Sequence, residues 1–335
     1  MTRRVVLVCC LLAALLAACT APQISPGEEP SPSAVRRIPE GPLEFSDTLA
    51  YVSDAPGNYE VFVLSPDSEP VRLTESEGDE GYPIWSPDGT TIAFGRREAD
   101  GTVDVWTMDA NGGSQQRIYD SDSVFLEGMA WRPNGKTLYL ARGYFDGPGN
   151  MGLKVVVISA EGPEAQSGLG VERLWDRHFT YAYPAVTLDG GMIAFAHYEG
   201  YAIPSRLDIY TGVMEPDGKS VHRIVQLNDE DGIDRNPAWS PDGTAIAWER
   251  ETAKDSGQFN VWVIDADGNG GTRVTSEPGR QVDPVWSSDG LALIYPSDES
   301  GSFQLYMRYA WGGAGVLQLT DGDANNLNPD VKPSR

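Results

Sequence analysis

Six times along this chain an apolar stretch runs into a tight turn and out again into a second apolar stretch, which commits the fold to hairpins repeated at a regular spacing. The clearest copies are YPIWSPDGTTIAF (Tyr82 to Phe94) and NPAWSPDGTAIAW (Asn236 to Trp248). Weaker copies are GMAWRPNGKTLYL (Gly128 to Leu140), YPAVTLDGGMIAF (Tyr183 to Phe195) and DPVWSSDGLALIY (Asp283 to Tyr295), and NPDVKPS (Asn328 to Ser334) is truncated. Measured at Trp85, Trp131, Val186, Trp239, Trp286 and Val331, the intervals are 46, 55, 53, 47 and 45 residues. That period is the length of one propeller blade.

The turn chemistry explains each copy. In Trp239-Ser240-Pro241-Asp242-Gly243, Pro brings a fixed φ, Asp a carboxylate that bonds nearby backbone N–H groups, and Gly a positive φ. After Ile246-Ala247-Trp248 come a polar loop, the β-rich run Val261 to Ile264, the turn Asp265 to Gly268 and a short strand at Thr272 to Thr275. One repeat is therefore four antiparallel strands. No long helical periodicity interrupts the series, so the expected fold is all-β, a six-bladed propeller of four-stranded blades.

The WSPDG hairpin, the IAF or IAW strand and the V-x-V-x-D-A-x-G segment resemble the repeats of the TolB-type β-propeller family, over roughly residues 45 to 333. The resemblance implies blades around a channel, closed by strands from both chain ends. The N-terminal side supplies TLAYVS (Thr48 to Ser53), Glu60 to Leu64 and Val71 to Thr74 without an inner strand, and NPDVKPS supplies the missing one. It also implies a protein partner, because TolB engages another envelope protein through its propeller. The family's separate N-terminal α/β domain has no counterpart here, so membership of a Tol system does not follow.

Ahead of the propeller, Arg3-Arg4 precedes an apolar run from Val5 to Ala18 and then Cys19 after Leu16-Ala17-Ala18. The run is short of the ~20 residues that span a bilayer, and its flanks are those of a cleaved signal. It resembles a bacterial lipobox, which implies cleavage before Cys19 and lipidation of its thiol; the bland reading is an ordinary signal with an incidental cysteine. Residues 1–18 are thus a signal peptide, 19–44 a lipidated, Pro-rich tether, and 45–335 the propeller. Cys9 and Cys10 leave with the signal, so no disulfide is expected. The tether can reach ~75 Å at ~3.1 Å per residue. The expected location is the cell envelope, on a bacterial membrane and facing periplasm or exterior, with the lipid as the only membrane contact.

The chain has 49 acidic against 25 basic residues, a net charge of −24, and loses two arginines with the signal. A polyanion is repelled by such a surface, which excludes nucleic acid as a partner. No G-x-S-x-G elbow, phosphate-binding loop or H-x-H or H-E-x-x-H pair occurs, and the only histidines are His178, His197 and His222. No catalytic residue, resident metal site or cofactor is therefore expected. Asp265-Ala266-Asp267-Gly268-Asn269-Gly270 imitates a calcium loop, but its twelfth position is Ser276; it reads as a hairpin turn, with a weakly bound calcium ion left open. Trp85, Trp131, Trp239 and Trp286 occupy equivalent positions and read as packing between blades.

Function is expected in the segments that do not repeat. Two loops, 143–150 and 197–204, with the entry to blade 4, carry Tyr144, Phe145, His178, Phe179, Tyr181, His197, Tyr198 and Tyr201. Exposed aromatics on loops are enriched at recognition surfaces. Glu80, Asp234 and Asp283, with Asn326, are read as an acidic rim at the same mouth. An envelope or extracellular protein is the expected partner and a glycan the alternative. A carboxylate pair at that mouth is the remaining enzymatic reading.

Overall fold

Ser240 and Asp242 show how each repeat makes its turn. Ser240 Oγ donates to Asp242 Oδ1 at 2.6 Å, the Thr244 N–H donates to the same oxygen at 3.0 Å, and the Gly243 N–H closes onto the Ser240 carbonyl at 2.9 Å. Gly243 adopts φ +70°, which the turn requires and a side chain resists. The same pattern returns at Ser86, Asp88 and Gly89 and at Thr187, Asp189 and Gly190. Pro133-Asn134-Gly135 makes an equivalent turn, with the Asn134 side chain accepting from the Lys136 and Thr137 N–H groups. Asp242→Ala is expected to cost about 1 kcal/mol, read as a lower urea midpoint with an unchanged slope.

The computed structural model describes residues 41–145, 151–162, 179–199, 206–215, 218, 220–228, 232–253, 256–313 and 315–334. Their strands form six antiparallel sheets, five of four strands and one, the third blade, with three strands among the described residues. The inner strands are Glu80–Trp85, Leu126–Trp131, Phe179–Val186, Asp234–Trp239, Val285–Trp286 and Asn326–Val331. Blade 1 is closed from both ends of the chain, with Asn326–Val331 pairing against Leu49–Ser53, Leu49 opposite Val331 and Ser53 opposite Asn326. This is the six-bladed, all-β propeller that the repeats predict.

Second strands such as Ala245–Glu251 and Ala292–Ser297 are buried throughout, because each blade is sandwiched between two others. That explains why IAF, IAW and LIY read as continuous apolar runs rather than alternating ones. The core is a series of clusters between adjacent blades. Trp85 packs with Ala50, Val52 and Phe94 between blades 1 and 2, and Trp286 with Ala247, Val263 and Tyr295 between blades 5 and 6. The tryptophans are thus packing residues, as their equivalent positions suggest.

Two sequence expectations are corrected. Tyr144 and Phe145 belong to the strand Thr137–Phe145, paired with Gly152 and Met151, and Tyr198 belongs to Met192–Glu199, facing Thr180 across the inner strand. Phe179 and Tyr181 start that inner strand rather than forming a loop before it. Aromatic side chains favour extended ladders, so these residues lengthen hairpins where a loop was expected. The acidic rim is also not a rim. Glu80 and Asp234 are buried and paired with Arg96 and Arg250 of the adjoining strands, Nε to carboxylate, at 2.8 and 2.9 Å. Their acidity is consumed within the blades, because the strand paired with each carries an arginine.

Candidate binding site in the central channel

The residue three positions before Trp85, Trp131, Val186, Trp239, Trp286 and Val331 lies in left-handed backbone in every blade: Tyr82, Tyr183, Asn236, Asp283 and Asn328 at φ between +47° and +53°, and Gly128 at +106°. In five of the six a proline follows, at Pro83, Pro184, Pro237, Pro284 and Pro329. Proline cannot donate to a ladder and belongs at a bulge, and the pairing register slips here in the inner strands, as between Gly81 and Ile84 and between Arg235 and Ala238. Left-handed backbone costs a non-glycine residue about 1–2 kcal/mol. Five such residues on one ring concentrate backbone strain at a single level of the channel. At Gly128 an added Cβ would lie 3.1 Å from the Tyr183 Cα, so this blade leaves space for its neighbour's tyrosine.

All six ring residues line a central cavity of about 350 Å³. Asp283 is its polar centre. Asn236 and Asn328, from the blades on either side, donate Nδ2–H to Asp283 Oδ1 and Oδ2, at 2.5 and 3.0 Å. The Asp283 N–H in turn donates to Glu249 Oε2 at 2.7 Å, and Glu249 is ion-paired with Arg235. On the other side Tyr183 donates its hydroxyl proton to Glu127 at 2.8 Å. These bonds link side chains around the ring from blade to blade.

The electrostatics follow from enclosure. Burial, with Glu249 close by, pushes Asp283 up to about 7, and burial likewise raises Glu127. The Tyr82 and Tyr183 phenols are raised by burial and by the nearby carboxylates, so both remain protonated donors. Arg235 is pulled down by burial but held above its usual range by Glu249 and stays cationic. The mouth therefore combines phenol and amide donors with carboxyl and amide acceptors.

Along the axis the lining changes. Below the ring come Ile84, Ala130, Ala185, Ala238 and Val285, with Asp330 in the sixth position. Asp330 accepts from the Trp85 N–H at 2.7 Å, and burial pushes it up to about 7. At the turn side, Pro87, Pro133, Leu188, Pro241 and Pro333 make an apolar collar. The turn-side mouth, where Ser288 and Lys332 stand among the prolines, is thus the more apolar of the two.

Of the candidate site residues named from sequence, Asp283 alone lines this cavity among the described residues. His197 is half-buried against Tyr210, edge to face at 5.0 Å, and faces Tyr181 in the ladder. For Tyr144, Phe145, Phe179, Tyr181 and Tyr198 the backbone alone is described, and His178 and Tyr201 lie outside the described residues, as does Cys19. The segment 265–270 is the turn after the strand Phe259–Asp265, with the Gly268 N–H on the Asp265 carbonyl at 2.8 Å. No cluster of three or more metal-ligating side chains occurs among the described residues. What sequence reasoning missed is the ring. Its signal was present as the X-Pro pair that precedes the packing residue by two positions in five copies, since proline on an inner strand demands a bulge.

Comparison with known proteins fits this geometry. Residues 183–335 match the family model of the TolB beta propeller domain. The crystal structure of TolB from Acinetobacter baumannii superposes with a TM-score of 0.68 at 19% identity, covering 88% of this chain and 68% of that one. The fold is the one these propellers share. A putative TolB from Agrobacterium tumefaciens gives a TM-score of 0.60 at 16% identity, over 87% of this chain and 100% of that one. An uncharacterized protein of Agrobacterium fabrum is 24% identical over 146 residues, 43% of this chain and 46% of that protein, so the match spans under half of either. In this ring the segment that precedes the first strand joins on the turn side. The Tyr309 hydroxyl donates to the Pro42 carbonyl at 3.3 Å, and Asp47 accepts from the Ser288 N–H, also at 3.3 Å. Ser288 belongs to the turn-side mouth.

Proposed function

We propose that this chain is a lipid-anchored binding propeller of the cell envelope that receives a segment of a partner protein at the polar mouth of its channel. The observation that carries the reading is the ring of left-handed residues, which brings one position from every blade to a single enclosed site. Phenol donors, amides that both donate and accept, and a carboxyl in a 350 Å³ space suit a peptide, whose backbone offers donors and acceptors in alternation. No nucleophile activated by a base stands in the ring, so binding rather than turnover is the reading it favours. The lengthened hairpins of blades 3 and 4, with Tyr144, Tyr198 and the other aromatics of those segments, would then extend the contact surface.

The test places a photocrosslinking amino acid at Tyr82, in the channel mouth, and separately at Val71, on the exposed outer edge of blade 1. Irradiation of native membranes is expected to yield one defined protein adduct from position 82 and none from 71. Asn236→Ala is expected to remove that adduct while changing the melting temperature by less than about 4 °C, since one lost hydrogen bond costs ~1 kcal/mol. Adducts of equal yield from both positions, or none from either, would overturn the reading and turn attention to glycans.

A further inference from the structure

Where neighbouring blades meet, a residue at or just before the start of an inner strand sits beside one at the start of the third strand in the blade before it. A backbone bond fixes each meeting: Glu80 N–H to the Tyr59 carbonyl, Asp234 to Leu207, Gln281 to Phe259 and Asn326 to Phe303, all at 2.8–2.9 Å. Between blades 5 and 6 the side chains are Asn260 and Gln281, and between blades 6 and 1 Gln304 and Asn326, joined amide to amide at 2.5 and 2.9 Å. Between blades 1 and 2 they are Glu60 and Glu80, and between blades 4 and 5 Asp208 and Asp234. All eight side chains are buried. An amide pair supplies a donor and an acceptor at any pH, whereas two carboxylates supply acceptors alone and repel each other unless one is protonated.

Glu60 receives Arg72, Asn58 and the Ser76 N–H, and Glu80 receives Arg96 and the Ser76 hydroxyl. Thr74 Oγ1 lies 2.5 Å from Glu60 and 3.3 Å from Glu80, and its single proton serves one of them at a time. At the other junction Arg206 donates to Asp208, while Arg250, Trp248 and Asn228 donate to Asp234. Burial, with Glu60 beside it, pushes Glu80 up to about 7; burial raises Asp234 against the pull of Arg250, and Asp208 adds to the rise. The two acid junctions are three blades apart. They therefore lie on one diameter and divide the ring into blades 2–4 and blades 5, 6 and 1.

We propose that these two acidic junctions are proton-dependent seams, which clasp the two halves of the ring while one carboxyl at each is protonated and loosen together when the protons leave. Asp234 leads directly into Arg235 and Asn236, so loosening of its seam reaches the channel ring. The arginines offset part of the repulsion in the ionised pairs, which keeps the change local rather than global.

Hydrogen exchange measured by mass spectrometry on the whole propeller at pH 6 and pH 8.5, corrected for intrinsic exchange rates, tests this. Protection of the Glu80 and Asp234 strand amides is expected to fall at least ~10-fold at the higher pH, the change that one pKa unit represents. The amides of Gln281 and Asn326 are expected to keep theirs. Glu80→Gln, which lets an amide donate to Glu60, is expected to preserve protection between blades 1 and 2 and leave the opposite seam sensitive; Asp208→Asn should do the reverse. Equal loss at all four junctions, no loss at the acid pairs, or a response that survives both substitutions would overturn the proposal. If either variant fails to fold, the comparison of the four junctions in the unmodified protein decides alone.

Discussion

Removing residues 326–335 is expected to abolish cooperative folding of the ring, the largest effect of any short deletion in this chain. The segment is the inner strand of blade 1, and Leu49, Ala50, Val52 and Ser53 lose their ladder partners without it. Leu49 and Ala50 are wholly buried, so their backbone groups would be left facing the channel without hydrogen bonds. The same ten residues donate the Lys332 N–H to the Thr48 carbonyl at 2.8 Å and carry Asn328 and Asp330, which bond Asp283 and the Trp85 N–H. An open ring also exposes two sheet faces that are otherwise buried between blades. The truncated chain should show no cooperative thermal transition by circular dichroism, and a synthetic peptide of residues 322–335 should restore one. A truncated chain that melts within about 5 °C of the intact one would show that closure adds little, since ~1 kcal/mol moves Tm by only a few degrees in a domain of this size.

The propeller is expected to be most stable at mildly acidic pH and to weaken as pH rises through 7. Glu80, Asp283 and Asp330 are each raised to about 7 by burial, from ordinary values of 4.5 and 3.8. In the unfolded chain they ionise near those ordinary values, so between about 4.5 and 7 the folded state holds more protons. Stability from these groups is complete below the lower value and is lost as pH rises through the higher one. At the acid end the order reverses. Glu60 and the turn carboxylates Asp88, Asp189 and Asp242 are lowered by hydrogen bonds, and their contribution disappears as pH falls below their depressed values. Each pKa unit is ~1.4 kcal/mol, but water reaches Asp283 and Asp330 from the channel, so a net loss of ~2–4 kcal/mol between pH 5 and pH 8 is expected. Thermal melts across that range read it directly. Asp330→Asn keeps an acceptor for the Trp85 N–H and removes one ionisation, so it should raise Tm at pH 8 and flatten the profile. A profile rising from pH 5 to pH 8 would mean that these carboxyls are ionised throughout.

The blade count, the strand order and the turn geometry were legible in the sequence because they are local. Ser240-Pro241-Asp242-Gly243 dictates its own turn, and AIAW beyond it can only be a strand buried on both faces. Closure was legible as well, since an unmatched NPDVKPS and a blade lacking its inner strand complement each other. The site was less so. Aromatic residues such as Tyr198 stood out by type, yet the backbone extends them into ladders. Glu80 and Asp234 stood out as charge at the entry of inner strands, yet each meets an arginine.

The difference has one physical reason. Turn chemistry and apolar periodicity act over a few residues, so sequence alone determined the repeat, its four strands and the number of blades. Which acid is neutralised, and which residue faces the channel, depends on partners 16 to 246 positions away, as for Glu80 with Arg96 and Tyr82 with Asn328. Only the closed ring brings those groups together: it turned an apparent acidic rim into buried junctions and gathered one left-handed residue from each blade around a single cavity.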